Sequence, residues 1–225
     1  KSERGEIEIT SSILTLSNEM DCLVLPINGF WLPTGFAWDL LKHQEFLMEQ
    51  YSSMDIFAKV EPGAKLKGSV SVGKGSIIKS GVYVEGPATI GENCVIGPNC
   101  YIRKYTSIGN LCRIGASVEI KNSVIMDNVN ICHLSYVGDS VVGEGAVLGA
   151  GTTIANHRHD DGEIFSFVKG KLMATERTKF GAIVSDNVQT GINTSVYPGR
   201  KIWPGMQTRP GQIITDDVMP QDFEW

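Results

Sequence analysis

Residues 84–108 read VEGPATIGENCVIGPNCYIRKYTSI, and every sixth position of the stretch (Val84, Ile90, Ile96, Ile102 and Ile108) is a large aliphatic side chain. The series runs back through Ile78, Val72 and Leu66 to Val60. It runs forward through Ile114, Ile120 and Met126, with Cys132 as its next member. Four residues after each anchor stands a small or β-branched side chain: Ala64, Val70, Ser76, Val82, Ala88, Cys94, Cys100, Thr106, Cys112, Val118 and Val124. Gly or Asn often lies between, as in Ile90-Gly-Glu-Asn-Cys94, where the chain must turn and tolerate a positive φ. Neither the helical period of 3.6 nor the simple alternation of a strand explains a spacing of six. Short strands joined by tight turns do, with one large and one small residue of each unit turned inward. Three such units close a coil of eighteen residues, and successive coils stack as parallel strands about 4.8 Å apart. The pattern predicts a parallel β-helix in which Cys94, Cys100 and Cys112 are small core residues.

The phase breaks after Cys132 and resumes at Tyr136, continuing through Val142, Leu148 and Ile154. It breaks again over 155–179, a polar stretch expected to form an extruded loop, and returns as Val184, Thr190, Val196, Ile202 and Thr208. A solenoid departs from its repeat where something other than stacking is required, so a functional site is expected near 133–180. Residues 1–54 show no hexapeptide phase. Residues 38–51, WDLLKHQEFLMEQY, read as one amphipathic helix, and EIEI and CLVLPI before it as strand-like segments too short for an independent α/β domain.

Composition narrows the function. Apolar residues make up 42% of the 225, and no apolar run approaches the roughly 20 residues of a membrane-spanning helix. The N-terminus lacks the pattern of a signal peptide. The net charge of −5 and the lack of any Lys/Arg cluster argue against nucleic acid or an anionic membrane as partner, but leave room for a small anionic ligand. Five cysteines without CxxC spacing suggest neither a disulfide framework nor a zinc ribbon, and point to a reducing, cytoplasmic compartment.

Arg103 and Lys121 are eighteen residues apart and each follows a core anchor, so they should stack outward on adjacent coils. Two cations about 5 Å apart repel unless an anion lies between them, which suggests a phosphate site. An ion ladder is the alternative, because Lys67 and Glu85 continue the same column and Glu85 could neutralise Arg103. His133 sits at the phase break in Cys132-His-Leu-Ser-Tyr-Val-Gly-Asp139. An imidazole in a surface groove can deprotonate an attacking amine, although a lone His is more often a packed or solvated residue. Tyr136 falls in the anchor phase, which makes core packing its default role. His157 and His159, with distant His133, could ligate zinc, but the spacing is poor, and no metal is expected.

These pieces resemble a known family. The blocks YIRKYTSIG, GASVEIK, HLSYVGDS, GAGTTIAN and TGINTSVYPGRKI are similar to the acetyltransferase region of bifunctional sugar-1-phosphate nucleotidylyltransferase/amino-sugar-1-phosphate N-acetyltransferases of archaeal type, continuously over about 55–212. The resemblance implies an all-β fold, a left-handed parallel β-helix with a short N-terminal segment containing one helix. It also implies a homotrimer, and acetyl transfer from acetyl-CoA to the amine of glucosamine-1-phosphate or galactosamine-1-phosphate. By position it makes His133 the general base, Arg103 and Lys121 sugar-phosphate ligands, Tyr136 a substrate contact, and Asn156 the asparagine near the sugar and acetyl donor. Acetyl-CoA is expected along the later coils near Gly191, Asn193 and Arg200, and Mg2+ is not expected. Residues 1–54 would be the remnant or end of a nucleotidylyltransferase-like domain plus a linker helix, and 55–225 the acyltransferase domain.

Three departures from the family pattern stand out. Val147 replaces an asparagine, and Asp160-Asp161-Gly162-Glu163 occupies the loop where the family carries lysine. Pro33 stands in Gly29-Phe-Trp-Leu-Pro-Thr-Gly-Phe-Ala-Trp-Asp39 where the nucleotidylyltransferases place a metal-binding Asp, so no nucleotidylyltransferase activity is expected. The alternative reading is a non-catalytic oligomerising or regulatory β-helix of a nucleotidylyltransferase-like protein.

Overall fold

A computed structural model describes residues 7–50 and 53–221, which divide into two compact units, residues 1–32 and 33–225. The second is a parallel β-helix. Among the described residues its strands form three parallel sheets. The first face runs from Lys59–Val60 to Val147–Leu148, the second from Lys65–Lys67 to Ile213–Ile214, and the third from Val70–Val72 to Arg200–Ile202. Every sixth side chain points into the shared interior, and Ile78, Ile96, Ile102, Ile114 and Ile120 are fully buried. Cys94, Cys100 and Cys112 lie among them, their thiols donating to backbone carbonyls such as Gly115 O at 2.8 Å from Cys100 Sγ.

The register is eighteen residues through the first coils: Ile78 lies opposite Ile96, and Ile96 opposite Ile114. It then shortens to seventeen. Ile114 lies opposite Ile131, Ile120 opposite Val137, and Ile108 opposite Ile125. The corner between the second and third faces has lost one residue at 121–124 and another at 138–141, so the inward series runs Ile120, Ile125, Ile131, Val137 and Val142. Met126, Cys132 and Tyr136 are therefore not core anchors. Met126 is exposed and the other two are half-buried on the outside, while Val124 gives up the small inward position to Ser123. Ser123 and Ser140 make the shorter corner possible. Ser123 Oγ donates to Lys121 O (2.8 Å) and accepts Ser140 N–H (3.1 Å). One coil on, Ser140 Oγ donates to Gly138 O (2.7 Å) and accepts Ala182 N–H (3.0 Å). Each hydroxyl supplies a backbone N–H with a partner in the interior, where an unmet donor would be costly.

At the next pass through this corner, between Ile154 and Gly181, the chain leaves the helix. The excursion is ordered. Phe165–Val168 and Lys171–Ala174 pair antiparallel around Lys169-Gly170, whose φ angles of 47° and 72° suit a two-residue hairpin turn. Ile164 and Phe180 at its base are fully buried.

A helix, α2 (Asp39–Gln50), packs on the third face. Leu41 and Trp38 form a second small core with Val141, Ile164 and Phe180, and the Trp38 and Phe180 rings meet edge-on with centroids 6.0 Å apart. Gln44 is buried beneath α2 and donates to the Ser123 carbonyl (3.3 Å). The helix expected over residues 38–51 is thus present. It packs with the β-helix, so the compact unit begins at Pro33, where the sequence suggested a boundary after residue 54.

The first unit holds α1 (Ile9–Ser17), which buries none of its residues. Ile9 opens this helix and Cys22–Ile27 forms no strand. Glu6 lies outside the described residues, so only part of the expected strand-like EIEI can be compared. A short segment without a neighbouring edge to pair with can satisfy its backbone only locally, as α1 does.

Candidate functional site

The irregular corner gathers the residues that the sequence marks. Arg103 and Lys121 stack one coil apart on the outside of the second face, where Arg103 N–H donates to Ile120 O (2.8 Å). Both cations already have carboxylate partners. Arg103 Nη1 lies 2.9 Å from Glu119 Oε1, and this hydrogen bond raises the guanidinium pKa. Glu85, the partner suggested by the column, instead accepts the Tyr101 hydroxyl at 2.9 Å. Lys121 Nζ lies 2.7 Å from Asp139 Oδ2. Asp139 is the centre of the arrangement. Its side chain is 2% exposed and it also accepts from Asn122 Nδ2 (2.8 Å) and from Asn156 Nδ2. The shortened corner creates this geometry, because Asp139 turns its carboxylate back under the preceding coil from a left-handed backbone conformation, φ 47°.

Tyr136 lies one coil above Glu119, its ring folded over Gly138 so that the hydroxyl approaches Asn156. Burial raises its pKa first, and the Asp139 and Glu119 carboxylates push it the same way, against smaller opposing effects of Arg103 and Asn156. The phenol stays protonated and can act as a hydrogen-bond donor at neutral pH. A Cβ added at Gly138 would lie 2.5 Å from Tyr136 Oη and 2.7 Å from Asn156 Nδ2. Gly138→Ala is therefore expected to expel the ring and cost about 1–3 kcal/mol, with the loss largely relieved in Gly138→Ala/Tyr136→Ala. Thermal unfolding of the two variants checks this, and an equal loss in both would sink it.

His133 stands apart from this cluster. It occupies the corner between the first and second faces, three residues before Tyr136, so their Cα atoms are separated by at most about 11 Å. Its side chain is exposed and its ring has no hydrogen-bond partner among the described residues. Its backbone is fixed on both sides: its carbonyl accepts Gly151 N–H (3.0 Å), and Gly115 below leaves room for its N–H. Gly191 and Asn193 lie higher in the same column of corners, where the Asn193 side chain lies against Gly151. Arg200 is not brought to them. It lies on the third face and its guanidinium holds the hairpin, Nη2 donating to Phe165 O at 3.1 Å. His157 forms an ion-pair contact with Asp161 (3.0 Å), and among the described residues no group of three potential metal ligands converges.

Glu119, Asn122 and Asp139 are the site residues that spacing alone did not reveal. The repeat of Asn122-Ser-Val and Asp139-Ser-Val at seventeen residues was the available signal.

Fold and repeat define a hexapeptide-repeat β-helix protein with a polar, charge-paired corner. The chain belongs to the GMPPB C-terminal domain family, whose model matches residues 84–204, more than half of its length. It is 42% identical over 222 residues to the bifunctional sugar-1-phosphate nucleotidylyltransferase/acetyltransferase of Sulfurisphaera tokodaii, covering 99% of this chain and 55% of that protein. It is 46% identical to the bifunctional protein GlmU of Methanococcus maripaludis strain C7, with coverages of 99% and 54%. Among solved structures, LpxA from Bacteroides fragilis, a UDP-N-acetylglucosamine acyltransferase, matches with TM-score 0.48 and 18% identity over 67% of this chain and 65% of that one. The resemblance read from HLSYVGDS and its neighbouring blocks is borne out, and the chain spans about half the length of the curated relatives it matches.

Proposed function

We propose that this chain is an acetyl-CoA-dependent N-acetyltransferase acting on the amine of glucosamine-1-phosphate or galactosamine-1-phosphate. The observation that carries this reading is the cluster at the shortened corner. Two stacked cations and a protonated Tyr136 meet there, Lys121 and Asn156 held by the buried Asp139 carboxylate and Arg103 by Glu119, next to an exposed His133. One curated relative that aligns along 99% of the chain carries nucleotidylyltransferase/acetyltransferase in its name. In the proposed reaction His133 takes a proton from the amine as its nitrogen attacks the thioester carbonyl. The C–S bond of the tetrahedral intermediate then breaks, and the proton leaves with the CoA thiol. Arg103 and Lys121 exchange their carboxylates for the sugar phosphate, which fixes the amine against the thioester. Gly191 and Asn193, in the column of His133, suit the acetyl-CoA side of the groove better than Arg200, which is occupied with the hairpin.

A homotrimer fits the surface. The helix α2 covers part of the third face, and the outward side chains of the first face include Ile77, Val95 and Val147, all half-buried. Sedimentation equilibrium is expected to give three times the 24.5 kDa chain mass, and a monomer would overturn this. Among the described residues no helix is long and apolar enough to cross a membrane, and a cytoplasmic location fits the unpaired cysteines. The test of the activity is acceptor-dependent release of CoA thiol with each amino-sugar phosphate.

A second reading, a non-catalytic oligomerising β-helix, is favoured by one observation: Arg103 and Lys121 are each already neutralised from within the chain. No CoA release from a folded oligomer would establish that reading over the first.

A further inference from the structure

The stripe of α2 that faces the β-helix runs Leu41, Gln44, Glu45 and Met48, the i, i+3, i+4, i+7 spacing of a packed helix side. Leu41 and Met48 are buried, as docking requires, but the two middle positions are polar. Gln44 has a structural account, because its amide donates to the backbone carbonyls of Ser123 and Tyr105 beneath it. Glu45 bonds no backbone there. A carboxylate drawn partly out of water at a packing position costs stability unless it is paired and hydrogen-bonded, so its partners show what it is there for.

Glu45 Oε1 accepts from Arg177 Nη2 (2.7 Å), on the return leg of the extruded loop, and from Asn122 Nδ2 (2.8 Å). The same Asn122 nitrogen donates its other hydrogen to Asp139 Oδ1 (2.8 Å). Asn122 is 8% exposed and sits at the shortened corner with φ 45°. Its two bonds to carboxylates fix which way the amide points, since a flipped group would set oxygen against oxygen. Asp139 Oδ2 in turn receives Lys121 Nζ and Asn156 Nδ2. One continuous chain of hydrogen bonds therefore runs from α2 to the two side chains assigned to the acceptor sugar. It does not reach His133, whose ring has no hydrogen-bond partner among the described residues.

We propose that Glu45 is a positioning residue for the acceptor side of the site, acting through Asn122 and Asp139, an inference that rests on the acetyltransferase reading. When Lys121 leaves Asp139 for the sugar phosphate, the carboxylate keeps two amide donors, Asn122 and Asn156. Asn122 holds it still only while Glu45 holds Asn122. Loss of Glu45 frees the Asn122 amide to turn, and Asp139 no longer sets Lys121 and Asn156 at the spacing the sugar phosphate needs. The relay uses Glu45 as an acceptor rather than as a charge. Both of its bonds are made through one oxygen, and a glutamine carbonyl oxygen can make both.

The test is steady-state CoA release by the full chain carrying Glu45→Ala or Glu45→Gln, with the amino-sugar phosphate and acetyl-CoA varied separately. Glu45→Ala is expected to raise the acceptor KM about tenfold, with the acetyl-CoA KM and the pH dependence set by His133 unchanged. Glu45→Gln, which keeps the acceptor oxygen, should restore most of that loss. A merely structural role would instead lower the active fraction, reducing kcat and leaving both KM values in place. That pattern would overturn the proposal, as would glutamine being as impaired as alanine. A wild-type chain that releases no CoA overturns the acetyltransferase reading instead, and the relay is then read from thermal unfolding. Glu45 and Asp139 are bonded to Asn122 and not to each other. Even so, Glu45→Ala/Asp139→Ala should lose less stability than the sum of the single losses, and the shortfall should vanish in an Asn122→Ala background. Additive losses with Asn122 present would overturn the relay.

Discussion

His133→Ala is expected to lower acceptor-dependent CoA release by about 10²-fold or more while leaving the fold intact, because a positioned general base contributes on that order. The structure separates the two effects unusually well. The His133 side chain is exposed and its ring contacts no hydrogen-bond partner among the described residues, so its removal should change stability by no more than about 0.5 kcal/mol. What holds His133 in place is its backbone, through Gly151 N–H and the close approach of Gly115, and alanine preserves both. The loss should fall on kcat, with the acceptor KM little changed, since phosphate binding is assigned to Arg103 and Lys121. His133→Gln, which keeps a polar side chain of similar size but cannot take the proton, should be as impaired as alanine. Either variant retaining more than about a tenth of the activity would remove His133 from the reaction.

The parts of the molecule legible in the sequence are those where one residue type recurs for one physical reason. Val84, Ile90 and Ile96 face the interior because only that spacing brings a side chain inward on each flat side of the coil. The stacking of Arg103 on Lys121 follows from the same arithmetic. What the spacing hid was the loss of single residues at corners. Met126 is as apolar as Ile125, so a shortened corner left the apparent series intact for one more member while the true core moved back by one. The compensation is carried by Ser123 and Ser140, whose burial as hydrogen-bonding hydroxyls has no hydrophobic signature. The hairpin inside the extruded loop was missed for a related reason. Residues 165–174, FSFVKGKLMA, carry strand-like side chains around a Lys-Gly turn, but the polar residues before them, Asp160 to Glu163, set the character of the whole stretch. Charge pairing across coils, Arg103 with Glu119 and Lys121 with Asp139, depends on side-chain reach rather than on position in the repeat, so the spacing carries no trace of it.

Asp139→Ala should be the most destabilising single change at the site, costing about 3–5 kcal/mol, the usual effect of breaking a buried ion pair by removing one partner. Three donors converge on this carboxylate: Lys121 Nζ, Asn122 Nδ2 and Asn156 Nδ2. Alanine leaves all three without it. Lys121 can partly escape, since its side chain is 21% exposed, but Asn122 is buried and keeps only Glu45. Position 139 also sits at φ 47°, a conformation that Asp and Asn tolerate and that costs alanine about 1 kcal/mol more. Asp139→Asn separates these contributions. It keeps the backbone preference and the acceptor oxygen shared by Lys121 and Asn156, but sets an amide nitrogen against the Asn122 donor, and is expected to lose about half as much. On a chain of this size the alanine variant should melt on the order of 10 °C lower. In Lys121→Ala/Asp139→Ala the combined loss should be smaller than the sum of the single losses by at least about 1 kcal/mol, because the second substitution removes the cation that the first stranded. Additive losses would mean that the two side chains are neighbours without being partners. The corner would then rest on Ser123 and Ser140 rather than on its charges.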